Sequence, residues 1–166
     1  MSDPMLPFMG TVATAGPERP PGGYWVLYID GGARGNPGPA GAGAVLYDET
    51  GQKAGEDCYL LGHRTNNAAE YEGLVRGLDL ALKAGATRLE IRSDSELLVR
   101  QMRGEYRTRA QHLKEAAERA RVLLGEFSET RFTAIPRERN TEADLLANRA
   151  MDSVERNARE KERTRP

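Results

Sequence analysis

Apolar residues run without interruption from Tyr24 to Ile29, and the chain then turns polar at Asp30. A short run with no alternation suits a strand covered on both faces. Two more strands are predicted over residues 40–47 and about 53–61, separated by the turn Asp48-Glu49-Thr50-Gly51. The short connections among these three favour antiparallel neighbours. Tyr71, Leu74, Val75, Leu78 and Leu82 then follow the spacing of one helical face, with Gly85 as the stop. Residues 88–93 form a strand with Leu89 and Ile91 inward. A helix follows over about 96–102, ended by Gly104. A further helix over about 109–124 carries Leu113, Ala116, Ala117, Ala120 and Leu124 on one side, and Gly125 marks its end. Residues 130–135 make the fifth strand, broken by Pro136, and a last helix runs over about 141–151. The expected fold is α/β, in the order βββαβααβα. It is a five-stranded mixed sheet flanked by helices, with a right-handed crossover into the fourth strand.

The two ends break this pattern. Residues 1–23 hold Pro4, Pro7, Pro17, Pro20 and Pro21, five of the nine prolines, and show no period. They read as a flexible Pro/Gly-rich leader, too short to build a core of its own. Residues 153–166 are dense in charge and read as a tail that either extends the last helix or frays. The domain proper is therefore expected over 24–152, one unit within 166 residues.

Composition excludes several chemistries. Cys58 is the only cysteine, so neither an internal disulfide nor a thiolate zinc site is possible. His63 and His112 stand alone, with no metal-binding pair. No Gly-x-Ser-x-Gly elbow occurs, and no Gly-Lys-Ser/Thr follows the glycine-rich stretch, so a serine hydrolase and a P-loop are both unsupported. There is no long apolar stretch and no secretory signal, which leaves a cytoplasmic location and no membrane partner by elimination. The net charge of −1 neither requires nor excludes nucleic acid. Arginines do cluster locally, at Arg100, Arg103, Arg107 and Arg109 and again at Arg137 and Arg139.

Four carboxylates, Asp30, Glu70, Asp94 and Asp144, each fall near the junction of a strand or helix with its neighbour. Each has a bland account when taken singly. Asp30 opens a stretch, Asp30 to Gly41, that reads as a twelve-residue turn with five glycines, longer than hairpin turns usually are. Glu70 follows Thr65-Asn66-Asn67, where Thr65 or Asn66 would cap a helix and an early acid would suit its dipole. Ser93 with Glu96, and Thr141 with Asp144, fit capping boxes. Glu72 competes with Glu70, but Arg76 four residues on gives Glu72 a surface partner, and spacing leans to Glu70. Taken together, four acids at four junctions point to convergence on a hard divalent cation and to an enzyme acting on phosphate.

Four separated motifs then match one family in order. They are Tyr28-Ile29-Asp30-Gly31-Gly32 with Gly35-Asn36-Pro37-Gly38-Pro39; Thr65-Asn66-Asn67 with Glu70; Ser93-Asp94-Ser95; and Asn140 with Asp144-Leu145-Leu146-Ala147. From about residue 24 to 151 the chain resembles type 1 ribonuclease H, and the family register selects Glu70 over Glu72. The resemblance implies endonucleolytic hydrolysis of the RNA strand of an RNA–DNA hybrid, leaving 5′-phosphate and 3′-hydroxyl ends. It implies two Mg²⁺ ions, with Mn²⁺ as a substitute. Asp30 would bridge them, Glu70 and Asp94 would complete one site, and Asp144 the other. It also implies that Asn36, Asn66 and Asn67 contact the minor groove and that Thr65 contacts a DNA phosphate. A monomer is expected.

Two departures stand out. The family's better-known bacterial members carry a histidine before the last helix, where this chain has Pro136-Arg137-Glu138-Arg139-Asn140. Arg137 and Arg139 are the candidate phosphate-binding cations there, and neither can serve as a base near neutral pH. The basic, tryptophan-rich protrusion is also missing, as in the branch that lacks it. The alternative is a catalytically silent hybrid- or duplex-binding module on the same fold.

Overall fold

The computed structural model describes residues 23–166; the Pro/Gly-rich stretch before Gly23 lies outside the described residues. The elements are β1 (Trp25–Ala33), β2 (Gly38–Tyr47), β3 (Lys53–Arg64), α1 (Asn66–Ala84), β4 (Arg88–Ser93), α2 (Glu96–Met102), α3 (Gln111–Leu124), β5 (Glu129–Ala134) and α4 (Thr141–Arg163). A short 3₁₀ turn, Arg137–Arg139, joins β5 to α4. The expected βββαβααβα order is the observed one. The sheet runs β3-β2-β1-β4-β5. Its first three strands pair antiparallel, and β4 and β5 join parallel to β1. The switch from antiparallel to parallel pairing therefore falls at β1.

The main core lies between the sheet and α1 to α3. Leu27, Ile29, Leu89 and Ile91 meet Tyr71, Leu74, Leu78, Leu98 and the alanine face of α3. α1 ends at Gly85, left-handed at φ 99°, whose N–H bonds back to Ala81 and Leu82. On the opposite face α4 covers β2, with Val45 and Tyr47 against Leu146. Residues 25, 27 and 29 thus face the larger core, and 26, 28 and 30 the other face.

The glycine-rich stretch is not a long turn. β1 continues to Ala33 and β2 begins at Gly38, so only four residues separate them. Gly35 and Gly38 belong to the turn itself, but Gly31, Gly41 and Gly43 are there because helices lie directly on these strands. A Cβ on Gly31 would sit 2.3 Å from the Ala69 carbonyl oxygen of α1, and one on Gly43 would sit 2.4 Å from the Ala143 carbonyl oxygen of α4. Local composition looked like a turn; long-range packing made it sheet.

The last helix passes the expected boundary at residue 152 and runs on to Arg163. Of the two outcomes foreseen for the charged tail, it takes the helical one. Arg34, at the β1–β2 turn, donates to Asp152, to Glu155 at 2.6 Å and to Asn148 at 3.1 Å, and so ties the hairpin to α4. No helix among the described residues is long and apolar enough to cross a membrane.

Candidate active site

Strand register brings the first two acids together. Ile29 lies opposite Ser93 in the parallel β1–β4 ladder, so Asp30 and Asp94 follow side by side where that ladder stops. α1 packs across the same end of the sheet and adds Glu70. Oxygens of Asp30, Glu70 and Asp94 all lie within 4.8 Å of one another. Asp144, in the first turn of α4, shares a hydrogen bond with Asp30. The four candidate carboxylates thus meet at one sheet edge, three as a group and the fourth through Asp30.

The bland accounts of these acids fail on local geometry. The N-cap of α2 is Ser95, whose hydroxyl accepts from the Leu98 N–H, and Ser93 accepts from the Ser95 N–H. The foreseen Ser93–Glu96 box is absent, and Asp94 caps nothing. Asn140 precedes α4 without a side-chain cap, so Thr141 and Asp144 form no box either. Thr65 caps α1 by accepting from the Ala68 N–H, and no acid lies in the first turn of that helix. The dipole therefore does not account for Glu70.

Crowding leaves its mark on the acids' protonation. Burial, the Asp94 charge and the hydrogen bond with Asp144 push Asp30 up to about 8. Burial pushes Glu70 up to about 7 against a hydrogen bond from Ser95; Asp94 raises it further and the Arg137 charge lowers it. Clustered acids held above their ordinary range ionise together only beside a cation. The donor set is all oxygen, which fits a hard divalent ion.

Glu72 goes elsewhere. It is buried at 7% exposure, bonded by Arg119 of α3 and flanked by Arg76 at 3.8 Å and Arg64 at 3.9 Å. The expected surface pair with Arg76 is one edge of a three-arginine hub, half-exposed guanidiniums around a buried carboxylate, joining α1, α3 and the end of β3. Glu72→Ala should lower stability by roughly 1–3 kcal/mol, because it leaves three cations gathered without their anion. The folded variant should keep its catalytic rate. Chemical denaturation beside an activity assay checks both halves.

The asparagines form a latch. Asn36 Oδ1 accepts from the Asn66 N–H at 3.0 Å, and Asn66 Oδ1 accepts from the Ala33 N–H at 2.8 Å. The hairpin tip is thereby fixed to the start of α1, with both side-chain NH₂ groups unused among the described residues. Asn67 is exposed beside them. Arg137 lies close enough to act on Glu70. Arg139 is exposed on the same 3₁₀ turn and forms no ion pair among the described residues. His63 and His112 are exposed.

Asn140 was not singled out as a site residue by sequence reasoning. It is 1% exposed, and its Nδ2 donates to the Ile29 carbonyl at 2.9 Å and to Asp94 Oδ2 at 3.4 Å. It thus bridges the strand that carries Asp30 to the carboxylate of Asp94. It belongs to the fourth family motif, but without a role there, and its position just ahead of a helix ordinarily reads as a cap.

A family model described as reverse transcriptase-like matches residues 28–150. The ribonuclease HI of Halobacterium salinarum is 41% identical over 142 residues, covering 86% of this chain and 70% of that protein. The chain belongs to the type 1 ribonuclease H family. The bifunctional protein Rv2228c of Mycobacterium tuberculosis is 43% identical over 134 residues, 80% of this chain. The chain spans only 37% of that protein's length. The solved ribonuclease H domain of Rv2228c superimposes with a TM-score of 0.79 at 42% identity, covering 82% of this chain and 99% of that domain. LC11-RNase H1, solved in complex with an RNA/DNA hybrid, gives 0.73 at 44% identity, covering 78% of this chain and 98% of that one. Ribonuclease H relatives thus share this sheet order along with its helices.

Proposed function

We propose that this chain is a metal-dependent endonuclease that hydrolyses the RNA strand of RNA–DNA hybrids, leaving 5′-phosphate and 3′-hydroxyl ends. The observation that carries the reading is the meeting of Asp30, Glu70, Asp94 and Asp144 at one sheet edge, beside the asparagine latch. Family membership supports the reaction, and the hybrid bound to LC11-RNase H1 supports the substrate.

Asp30, Glu70, Asp94 and Asp144 are the residues that would hold divalent cations, Mg²⁺ or Mn²⁺, two with substrate in place. When bound, such ions lower the pKa of an attacking water and stabilise the leaving 3′-oxygen. The remaining work falls to the chain itself. Asn140 holds Asp94 in line with β1. Ser95 orients Glu70 through its hydrogen bond. Asn36, Asn66 and Asn67 offer amide groups to 2′-hydroxyls and base edges of the minor groove, where a group that both donates and accepts fits. Thr65 and Arg137 take phosphates, with Arg139 next to Arg137 as a further cation. The chain acts as a monomer in the cytoplasm on this reading.

A silent binding module on the same fold is disfavoured by the acids themselves. Clustered carboxylates facing a phosphate backbone would weaken such a module. The test is cleavage of end-labelled RNA–DNA hybrid, RNA duplex and DNA duplex with Mg²⁺ or Mn²⁺. Hybrid cleavage confined to the RNA strand, with 5′-phosphate products, is expected. Binding of hybrid without any cleavage in either metal would hand the case to the silent module.

A further inference from the structure

We propose that Arg34 is a positioning residue for hybrid cleavage. It clamps the tip of the β1–β2 hairpin to α4, so that the asparagines that take the hybrid and the Asp144 carboxylate keep one fixed relation. The proposal rests on the hybrid-hydrolase reading and adds a residue that works through others.

The hairpin tip is held from two sides. On one side is the asparagine latch to α1, in which Asn36 Oδ1 accepts from the Asn66 N–H and Asn66 Oδ1 from the Ala33 N–H. On the other side is Arg34. Its backbone N–H donates to the Pro39 carbonyl at 2.9 Å and closes the turn. Its guanidinium leaves the turn and spreads along α4. One terminal nitrogen donates to Asp152 and, at 2.6 Å, to Glu155. The other donates to Asn148 Oδ1 at 3.1 Å. Residues 148, 152 and 155 follow one another by four and three positions and so share a helix face. A planar fork can serve an amide and two carboxylates at once, which the point charge of a lysine does not match.

Asn148 carries the clamp on to the site. While its Oδ1 is taken by Arg34, its Nδ2 donates to the Asp144 carbonyl at 2.9 Å. The opposite orientation of the amide would set NH₂ against guanidinium and oxygen against carbonyl. Arg34 therefore fixes which end of Asn148 faces Asp144, in the first turn of α4. The hairpin with Asn36, the helix with Glu70 and the helix with Asp144 are thus joined through Arg34, Asn36, Asn66 and Asn148. A hybrid gripped by the asparagines then meets the acids in one set placement. An exposed ion pair alone would be a surface staple of little consequence. This guanidinium is 34% exposed, and one of its partners is an uncharged amide bonded to the backbone of Asp144 itself.

The test compares Arg34→Ala, Asn148→Ala, the double variant of the two, and the pair Asp152→Asn, Glu155→Gln. Steady-state cleavage of labelled hybrid in Mg²⁺ is set beside hybrid affinity and melting temperature in chelator. Arg34→Ala should lower kcat about tenfold or more, as a small misplacement of bound substrate does. KM and the affinity in chelator should stay within about threefold, because the latch to α1 remains. Asn148→Ala should reproduce the loss, and the double variant should be no slower than the slower single one, since both act along one line. The Asp152→Asn, Glu155→Gln variant should melt lower yet keep kcat within about twofold, because the bond to Asn148 survives. A wild-type kcat in Arg34→Ala, losses that multiply in the double variant, or rates that follow melting temperature across the set would each overturn the role and leave the hydrolase standing. A wild type that binds hybrid and never cleaves it would overturn the hydrolase reading, and this role with it.

Discussion

Asp94→Asn should abolish hybrid cleavage and make the metal-free protein more stable. The rate loss expected is at least about a thousandfold, on the order of 4 kcal/mol of transition-state stabilisation. It follows because Asp94 is one of three carboxylates whose oxygens lie within 4.8 Å, and asparagine removes its charge without changing its shape. The remaining amide oxygen can still accept from Asn140 Nδ2, so the strand ends stay bridged. The stability gain has the same origin. The Asp94 charge raises both Asp30 and Glu70, and its removal relieves that repulsion. Hybrid binding should be unchanged or tighter, since one negative charge fewer faces the phosphates. A kcat equal to wild type would sink the hydrolase assignment. A simple loss of fold would show a lower melting temperature, the opposite of what is expected here.

Much of this fold was legible because β1 is a continuous apolar run and the helices carry an apolar face at the right period. The strand over 88–93 and the helices on either side of it could be placed to within a residue or two. What could not be read locally was contact between distant segments. Five glycines between Asp30 and Gly41 look like turn punctuation, and Gly35 and Gly38 do serve the turn, but at Gly31 and Gly41 it is the backbone of α1 and of α4 pressing on β1 and β2 that excludes a Cβ. Arg76 gave Glu72 a visible partner four residues away, but Arg64 and Arg119 come from other elements and turn a surface pair into a hub around a buried carboxylate. Asn140 stood in a family motif without a role until the Ile29 carbonyl and Asp94 were seen around it. The acids were suspicious because of their distribution; only the parallel β1–β4 register explains why two of them lie side by side. The choice of Glu70 over Glu72 has a physical basis as well, since the two carboxylates point to different neighbourhoods, one acidic and one basic.

The metal-free protein should lose stability as pH rises from about 5 to 8, and divalent cation should remove most of that loss. The unfolded chain releases the Asp30 and Glu70 protons near their ordinary values of 3.8 and 4.5. The folded chain keeps them until about 8 and about 7. Between those limits the native state binds more protons than the unfolded state, so the unfolding free energy falls with rising pH. Glu70 alone accounts for a loss of about 3 kcal/mol by the time it ionises. Asp48 and Glu129, held below their ordinary values by hydrogen bonds, are ionised throughout this window and add no slope. Mg²⁺ or Mn²⁺ binds the ionised folded form, so its affinity should climb over the same range as binding displaces fewer protons. Thermal melts in chelator and in excess divalent cation, at matched ionic strength, separate the two curves. A melting temperature in chelator that rises or stays level from about pH 5 to 8 would show that the carboxylates are not held protonated by one another. The close packing of Asp30, Glu70 and Asp94 would then need another account than a site waiting for a cation.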